Sequence, residues 1–416
     1  MKKAARGHGF VVLAAFLTGA VSRGADAAET LKLEVRETAG IRRFGYPVAL
    51  RLPELSLGDA KPRFRLREEG KPVSAQFREE ASDGGASAWW LDFALNMTPH
   101  AVRTLTLEYG PDIAADKEPR GLELKPTSEG FEIRNGSHLT WTAGRNLFAL
   151  VKSVDAGDLK YLREGGVRLG IEGPQEVLYP RDDTAPPRVI RSGPLAVAIR
   201  YEFAPASGAL AGTKSIVDLT FPASKSWVQV DWQLDDPRQV VRSVRAEIAQ
   251  RLAAPTEEEP TLVDFGAASL VYMSLAAGDR GKLQAIAKAA DRNAPPSGAL
   301  SPSWEVLRGD KNPLEPFVVQ AAGRGRAEAE GWAHVMDRQR CLALGVDEFG
   351  DSDADSVEIA AEGDVTLDRK FDPDRQDRPV KRFRFWLHFV GFPPHVTAAT
   401  SPQSMLSPLT VRISEP

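Results

Sequence analysis

Between Gly331 and Phe349 the chain gathers a His, two Arg, an Asp, a Trp and its only Cys within ten residues, Trp332 to Cys341. Two short apolar runs, Trp332 to Met336 and Cys341 to Val346, flank the polar stretch Asp337-Arg338-Gln339-Arg340, a β-hairpin pattern. Such a set suits elimination on a uronate. Arg338 or Arg340 would pair the sugar carboxylate in a bidentate way, and His334 would take the α-proton as a base with an ordinary pKa near neutral. These three are the candidate catalytic residues. The alternative is a solvated turn between two core strands, because turn residues are polar for turn reasons.

A second constellation lies near the C-terminus. Phe383, Phe385, Leu387 and Phe389 alternate with Arg382, Arg384, Trp386 and His388. Strand alternation puts the second set on one face. An indole stacks on the apolar side of a pyranose and guanidinium groups bind a carboxylate, so Arg382, Arg384, Trp386 and His388 form a candidate substrate-binding row. The competing reading is a second face packed under a loop.

Other chemistry is poorly served. The His residues show no H-E-x-x-H spacing and the single Cys has no mate, so neither a metal nor a cofactor is expected. Asp351-Ser-Asp-Ala-Asp355 has alternate acids but lacks the Gly and distal Glu of an EF-hand loop, and reads as a solvated loop with adventitious calcium as the minority reading. Gly208-Ala-Leu-Ala-Gly-Thr-Lys-Ser misses the P-loop spacing, and no G-x-S-x-G elbow is present. Arg42-Arg43 and the run Arg238, Arg242, Arg245 default to structural salt bridges. Asn135-Gly-Ser137 is a glycosylation sequon of little weight beside a bacterial-type leader.

These groups must be positioned by strands. The 416 residues hold 30 Pro and 35 Gly with little helical periodicity, which points to an all-β chain. Lys2, Lys3 and Arg6, an apolar run from Phe10 and the A-x-A site Ala25-Asp26-Ala27 predict a secretory signal peptide over 1–27. The expected mature protein is exported to the periplasm or beyond, without a transmembrane anchor. Losing four basic residues and one acid takes the net charge from −4 to −7, which disfavours nucleic acid as a partner. With Cys341 alone no internal disulfide forms, and the thiol reads as a small buried hydrophobe.

Six short alternating strands, from Leu31-Leu33-Val35 to Leu105-Leu107-Tyr109, predict a small β-barrel or sandwich over 28–115. Asp112 to Gly121 reads as a linker. Longer one-sided strands, Leu195 to Phe203 and Val228 to Leu234 among them, predict a large antiparallel β-sandwich over 122–416. Gly281 to Asn293, rich in Ala, Lys, Leu and Gln, reads as a short helix or irregular insertion.

Four motifs carry a family resemblance: Glu37-Thr-Ala-Gly-Ile-Arg-Arg-Phe-Gly-Tyr-Pro-Val, Val73-Ser-Ala-Gln-Phe, Trp90-Leu-Asp-Phe and Leu107-Glu-Tyr-Gly. In this order they resemble the N-terminal RIFT-type β-barrel of exo-rhamnogalacturonan lyase-like proteins, best over 30–110. The region that follows is similar, more loosely, to the central β-sandwich of that family. The resemblance implies an acidic polysaccharide or oligosaccharide of the rhamnogalacturonan or pectin type as partner. Full-length relatives add an α/α toroid, for which residues 1–416 offer no stretch. The expectation is therefore an exported protein that binds or helps process such a polysaccharide without catalysing alone, with a separate catalytic chain as a further partner. The alternatives are a lyase or other carbohydrate-active enzyme with its site in the sandwich, and a cell-envelope assembly protein.

Overall fold

The computed structural model describes residues 29–53, 55, 62–80, 88–114, 116, 119–136, 138–174, 177–180, 185–285, 304–319, 328–350, 354–371, 379–391 and 402–414. The signal peptide, Ser137 of the sequon and Asp351 to Asp353 lie outside the described residues. Within them the chain is all-β and antiparallel, apart from the short turns Leu147–Ala149 and Gln403–Leu406.

The N-terminal unit has two sheets. One runs Thr410–Ser414, Glu29–Arg36, Val102–Gly110, Arg63–Glu68, Lys71–Pro72, and the other Arg43–Arg51, Ala88–Met97, Ala75–Glu80. Alternation explains their facing. Leu31, Leu33 and Val35 are buried with Leu105, Leu107 and Phe93, while Lys32 faces water. The last strand overturns a sequence-based boundary. Thr410–Ser414 does not join the sandwich but pairs with the first strand, Lys32 opposite Ser414 through Arg36 opposite Thr410. Val411 and Ile413 supply the apolar side chains that pack there.

The second unit is a sandwich of two larger sheets. One of them runs Arg188–Ser192, Ala196–Phe203, Lys214–Pro222, Trp227–Asp235, Val380–Gly391, Arg340–Val346, Trp332–Met336, Thr261–Gly266, Leu270–Leu275. The facing sheet includes Leu162–Glu172, Ser243–Gln250, Asp364–Lys370 and Ala354–Ala360. Their inner faces share one core, with Phe383, Phe385, Leu387 and Phe389 in it, as alternation requires.

The helix expected from Gly281 is not formed over its described part. Arg280–Ala285 is a strand between Trp304–Gly309 and Ala354–Ala360. Gly281, Leu283 and Ala285 are buried, and pairing on both sides overrides helix propensity. Residues 286–293 lie outside the described residues.

Four buried polar residues, each within a family-like motif, join the units. Arg43 pairs with Glu37 at 3.0 Å and donates to the Ser404 carbonyl at 2.8 Å and the Ser407 carbonyl at 2.6 Å. The Gln76 amide binds Ala196 as a peptide group would, donating to its carbonyl and accepting from its N–H, each at 3.0 Å. Asp92 accepts from Gln76 at 3.2 Å and faces Arg191 at 3.1 Å.

Candidate functional site

The hairpin forms as expected, from Trp332–Met336 and Arg340–Val346. Its turn is built by Asp337, whose carboxylate accepts the N–H groups of Gln339 and Arg340 at 2.7 Å and of Ala253 at 2.8 Å. Those bonds outweigh burial and hold its carboxyl below the usual range. Arg340 is consumed by the same turn, with Nη1 on Asp337 at 2.9 Å and Nε on the Lys160 carbonyl at 2.8 Å. Arg338 pairs with Glu259 at 2.8 Å at the exposed tip. His334 lies back along the strand, opposite Ala343 rather than at the turn. The three candidate catalytic residues are thus not convergent. Cys341 is fully buried, and burial pushes its thiol pKa up, as suits a core residue.

The row Arg382, Arg384, Trp386, His388 does share one sheet face, but it is not an open platform. Trp386 and His388 are 4% and 3% exposed; Trp386 belongs with Trp227 and Ala343 to the core of the N-terminal unit, and His388 meets Trp227 edge-on at 5.6 Å. Tyr46 of that unit meets Trp227 edge-on at 5.9 Å, and Leu406 lies on Gly345 beside Trp386. Burial, then the nearby charges of Lys225 and His334, push His388 down to about 3, so its ring is neutral. Arg382 and Arg384 both bind Asp231, and Arg384 reaches Asp347 at 3.2 Å. Asp355 of the acid-rich loop forms a buried pair with Arg369 at 2.7 Å, which occupies it.

At the other end of the same face exposure rises along a row from buried His334 through half-buried Asp264 to exposed Tyr272. Tyr272 stands opposite Asp264, and Asp264 opposite His334. Directly opposed residues on antiparallel strands share a face, so the three side chains form a row across Leu270–Leu275, Thr261–Gly266 and Trp332–Met336. Their neighbours Val263, Phe265, Met273, Ala333 and Val335 fill the core on the other side. His334 Nδ1 lies 3.3 Å from Asp264 Oδ2. The Tyr272 ring is 53% exposed, and Leu270 is exposed next to it. Trp332 lies flat against Gly266 and donates Nε1–H to Glu330 at 2.5 Å. Chemically this is an aromatic platform, a carboxylate and an imidazole that the carboxylate orients. Among the described residues no cluster of three His, Cys, Asp or Glu could hold a metal ion. No helix among them is long and apolar enough to cross a membrane.

Sequence reasoning named His334, as a base, and did not name Asp264 or Tyr272. Each sits at an outward position of an alternating strand, which was a visible signal. Their meeting depends on pairing across 70 residues, which was not.

No family model matches the chain, and no curated protein matches it. Among solved structures, a protein in the glycosyl hydrolase family 38 from Enterococcus faecalis is similar over 92% of this chain and 47% of its own length, with TM-score 0.55 and 12% identity. This chain thus spans about half the length of that protein, and the likeness is one of fold. A galactose mutarotase related enzyme from Lactobacillus acidophilus aligns over 65% of this chain with TM-score 0.33 and 8% identity, too distant to carry an argument.

Proposed function

We propose that this chain recognises carbohydrate, and that its ligand is an acidic polysaccharide of the rhamnogalacturonan type met outside the cytoplasm. The observation that carries the proposal is the row Tyr272, Asp264, His334. An exposed ring supplies apolar contact to one side of a sugar and the half-buried Asp264 carboxylate supplies acceptors for its hydroxyls, with buried His334 holding that carboxylate in place. The fold likeness to a glycosyl hydrolase family 38 protein and the four barrel motifs support the same reading. Asp264 and Glu330 border this face and repel a uronate, so a neutral sugar residue sits on the row. The role is binding, with bond cleavage left to a separate chain.

The test is affinity electrophoresis in gels containing rhamnogalacturonan, polygalacturonate or a neutral galactan. Retardation by rhamnogalacturonan is the expected result. Equal mobility in every gel overturns the reading.

One observation favours catalysis as a second reading. An imidazole oriented by a carboxylate, as His334 is by Asp264, is a general acid–base arrangement. It is tested by following the absorbance of the unsaturated product of elimination. Product formation by the isolated chain that His334→Ala abolishes would replace binding with lyase activity.

A further inference from the structure

We propose that the seam of the N-terminal unit is a second binding site, a cleft for one carboxylate-bearing sugar residue. This rests on the carbohydrate reading and deepens it. If a neutral residue occupies the sheet-face row, an acidic polymer needs a cation elsewhere, and the seam supplies one.

The seam follows from topology. Arg63 to Arg67 pair with Val102–Gly110 on one side, while on the other Arg67 and Glu68 pair with Lys71–Pro72 and the Leu66 carbonyl accepts the Val73 N–H at 2.9 Å, which leaves the start of the strand unpaired among the described residues. Among the described residues Ala75–Glu80 pairs only with Ala88–Met97. The two strands are edges of separate sheets, and the space between them is a cleft of about 690 Å³. That is within the usual range of about 300–1,000 Å³ for small-molecule sites.

Its walls suit a sugar. Phe64 and Phe77 stack with centroids 4.7 Å apart and an interplanar angle of 11°, and Trp89 sits 4.7 Å from Phe64. Phe64 is buried as the floor, whereas Phe77 and Trp89 are half-buried and line the opening. A pyranose presents C–H groups on one side, and half-buried rings are their natural contact.

The rim sets the charge. Arg65 is committed to Glu108 at 2.7 Å, and Arg78 donates to the Ser192 carbonyl at 2.5 Å. Arg63 is exposed, borders the cleft, and has no ion pair among the described residues. A guanidinium in that state binds a carboxylate through two parallel N–H···O bonds. Glu79 and Asp116 also border the cleft. They oppose a second carboxylate beside the first, so the site favours an alternating acidic and neutral polymer over a continuous polyuronide.

The test uses calorimetry at low salt with a short rhamnogalacturonan oligosaccharide and its carboxyl-reduced counterpart, which keeps every ring and loses every charge. Arg63→Gln leaves an exposed position able to hydrogen-bond, so the fold is retained. The variant is expected to lose about tenfold in affinity for the acidic oligosaccharide, in line with a charge-assisted contact, and nothing for the reduced one. Phe77→Ala should weaken both. If Arg63→Gln binds both as the wild type does, the cleft is wrong while the carbohydrate reading stands. If the wild type binds neither oligosaccharide, both fall.

Discussion

Arg43 and Ser404 are joined by a hydrogen bond of 2.8 Å across 361 residues of chain. The same guanidinium pairs with Glu37, and both side chains are essentially inaccessible, at 1% and 0%. Burial pushes the Glu37 carboxyl up, but the N–H of His100, the Arg43 side chain and the N–H groups of Ala39 and Ile41 outweigh it and hold it at about 2. One cation thus fastens the C-terminal segment to the N-terminal unit.

Arg43→Ala should therefore be severe. It leaves Glu37 charged and buried and two carbonyls unpaired, a loss of about 3–5 kcal/mol by the usual cost of breaking a buried pair. Urea denaturation should show the midpoint fall, and limited proteolysis should release the C-terminal strand first. A midpoint like that of the wild type would contradict this role.

Gly266 gives a sharper test of the sheet face. A Cβ there would lie 2.2 Å from the Trp332 indole, so Gly266→Ala must displace that ring and its bond to Glu330. The expected loss is about 1–3 kcal/mol, as for overpacking elsewhere. Thermal denaturation checks it, and an unchanged midpoint would mean that the indole yields without cost.

His388 makes stability depend on pH. Its folded pKa is about 3, below the ordinary value of 6.5, because burial, then Lys225 and His334, disfavour the charged ring. Between those values the unfolded chain binds more protons than the folded one. Stability from this group is therefore full above 6.5 and is lost as pH falls toward 3. His388→Phe should flatten the fall of the urea midpoint with acidification across that window. A slope equal to that of the wild type would show that the ring is protonated in the fold.

The sequence read the strands well and their coverings poorly. Alternation from Phe383 to Phe389 identified the core face correctly, because one period decides it. The same alternation could not say that a third layer covers Trp386 and His388, since Tyr46 and Leu406 arrive from distant chain. Gly281 to Ala285 misled because its residues favour helix while its neighbours dictate a strand. Glu37, Gln76 and Asp92 were legible as motif residues, but not as the joints between units. Arg340 was a catalytic candidate with a turn as the alternative, and together with Asp337 it builds the turn.

Sugar recognition on the row Tyr272, Asp264, His334 depends most on its exposed ring. Calorimetry of Tyr272→Ala against the oligosaccharide that binds the wild type best measures that dependence. Tyr272 is 53% exposed and, among the described residues, its hydroxyl meets only Ser274, at 3.2 Å, so its truncation spares the fold. The expected result is a loss of about tenfold or more, the scale of removing an anchoring aromatic, with an unchanged circular dichroism spectrum and denaturation midpoint. Wild-type affinity in a variant that folds normally would contradict the account.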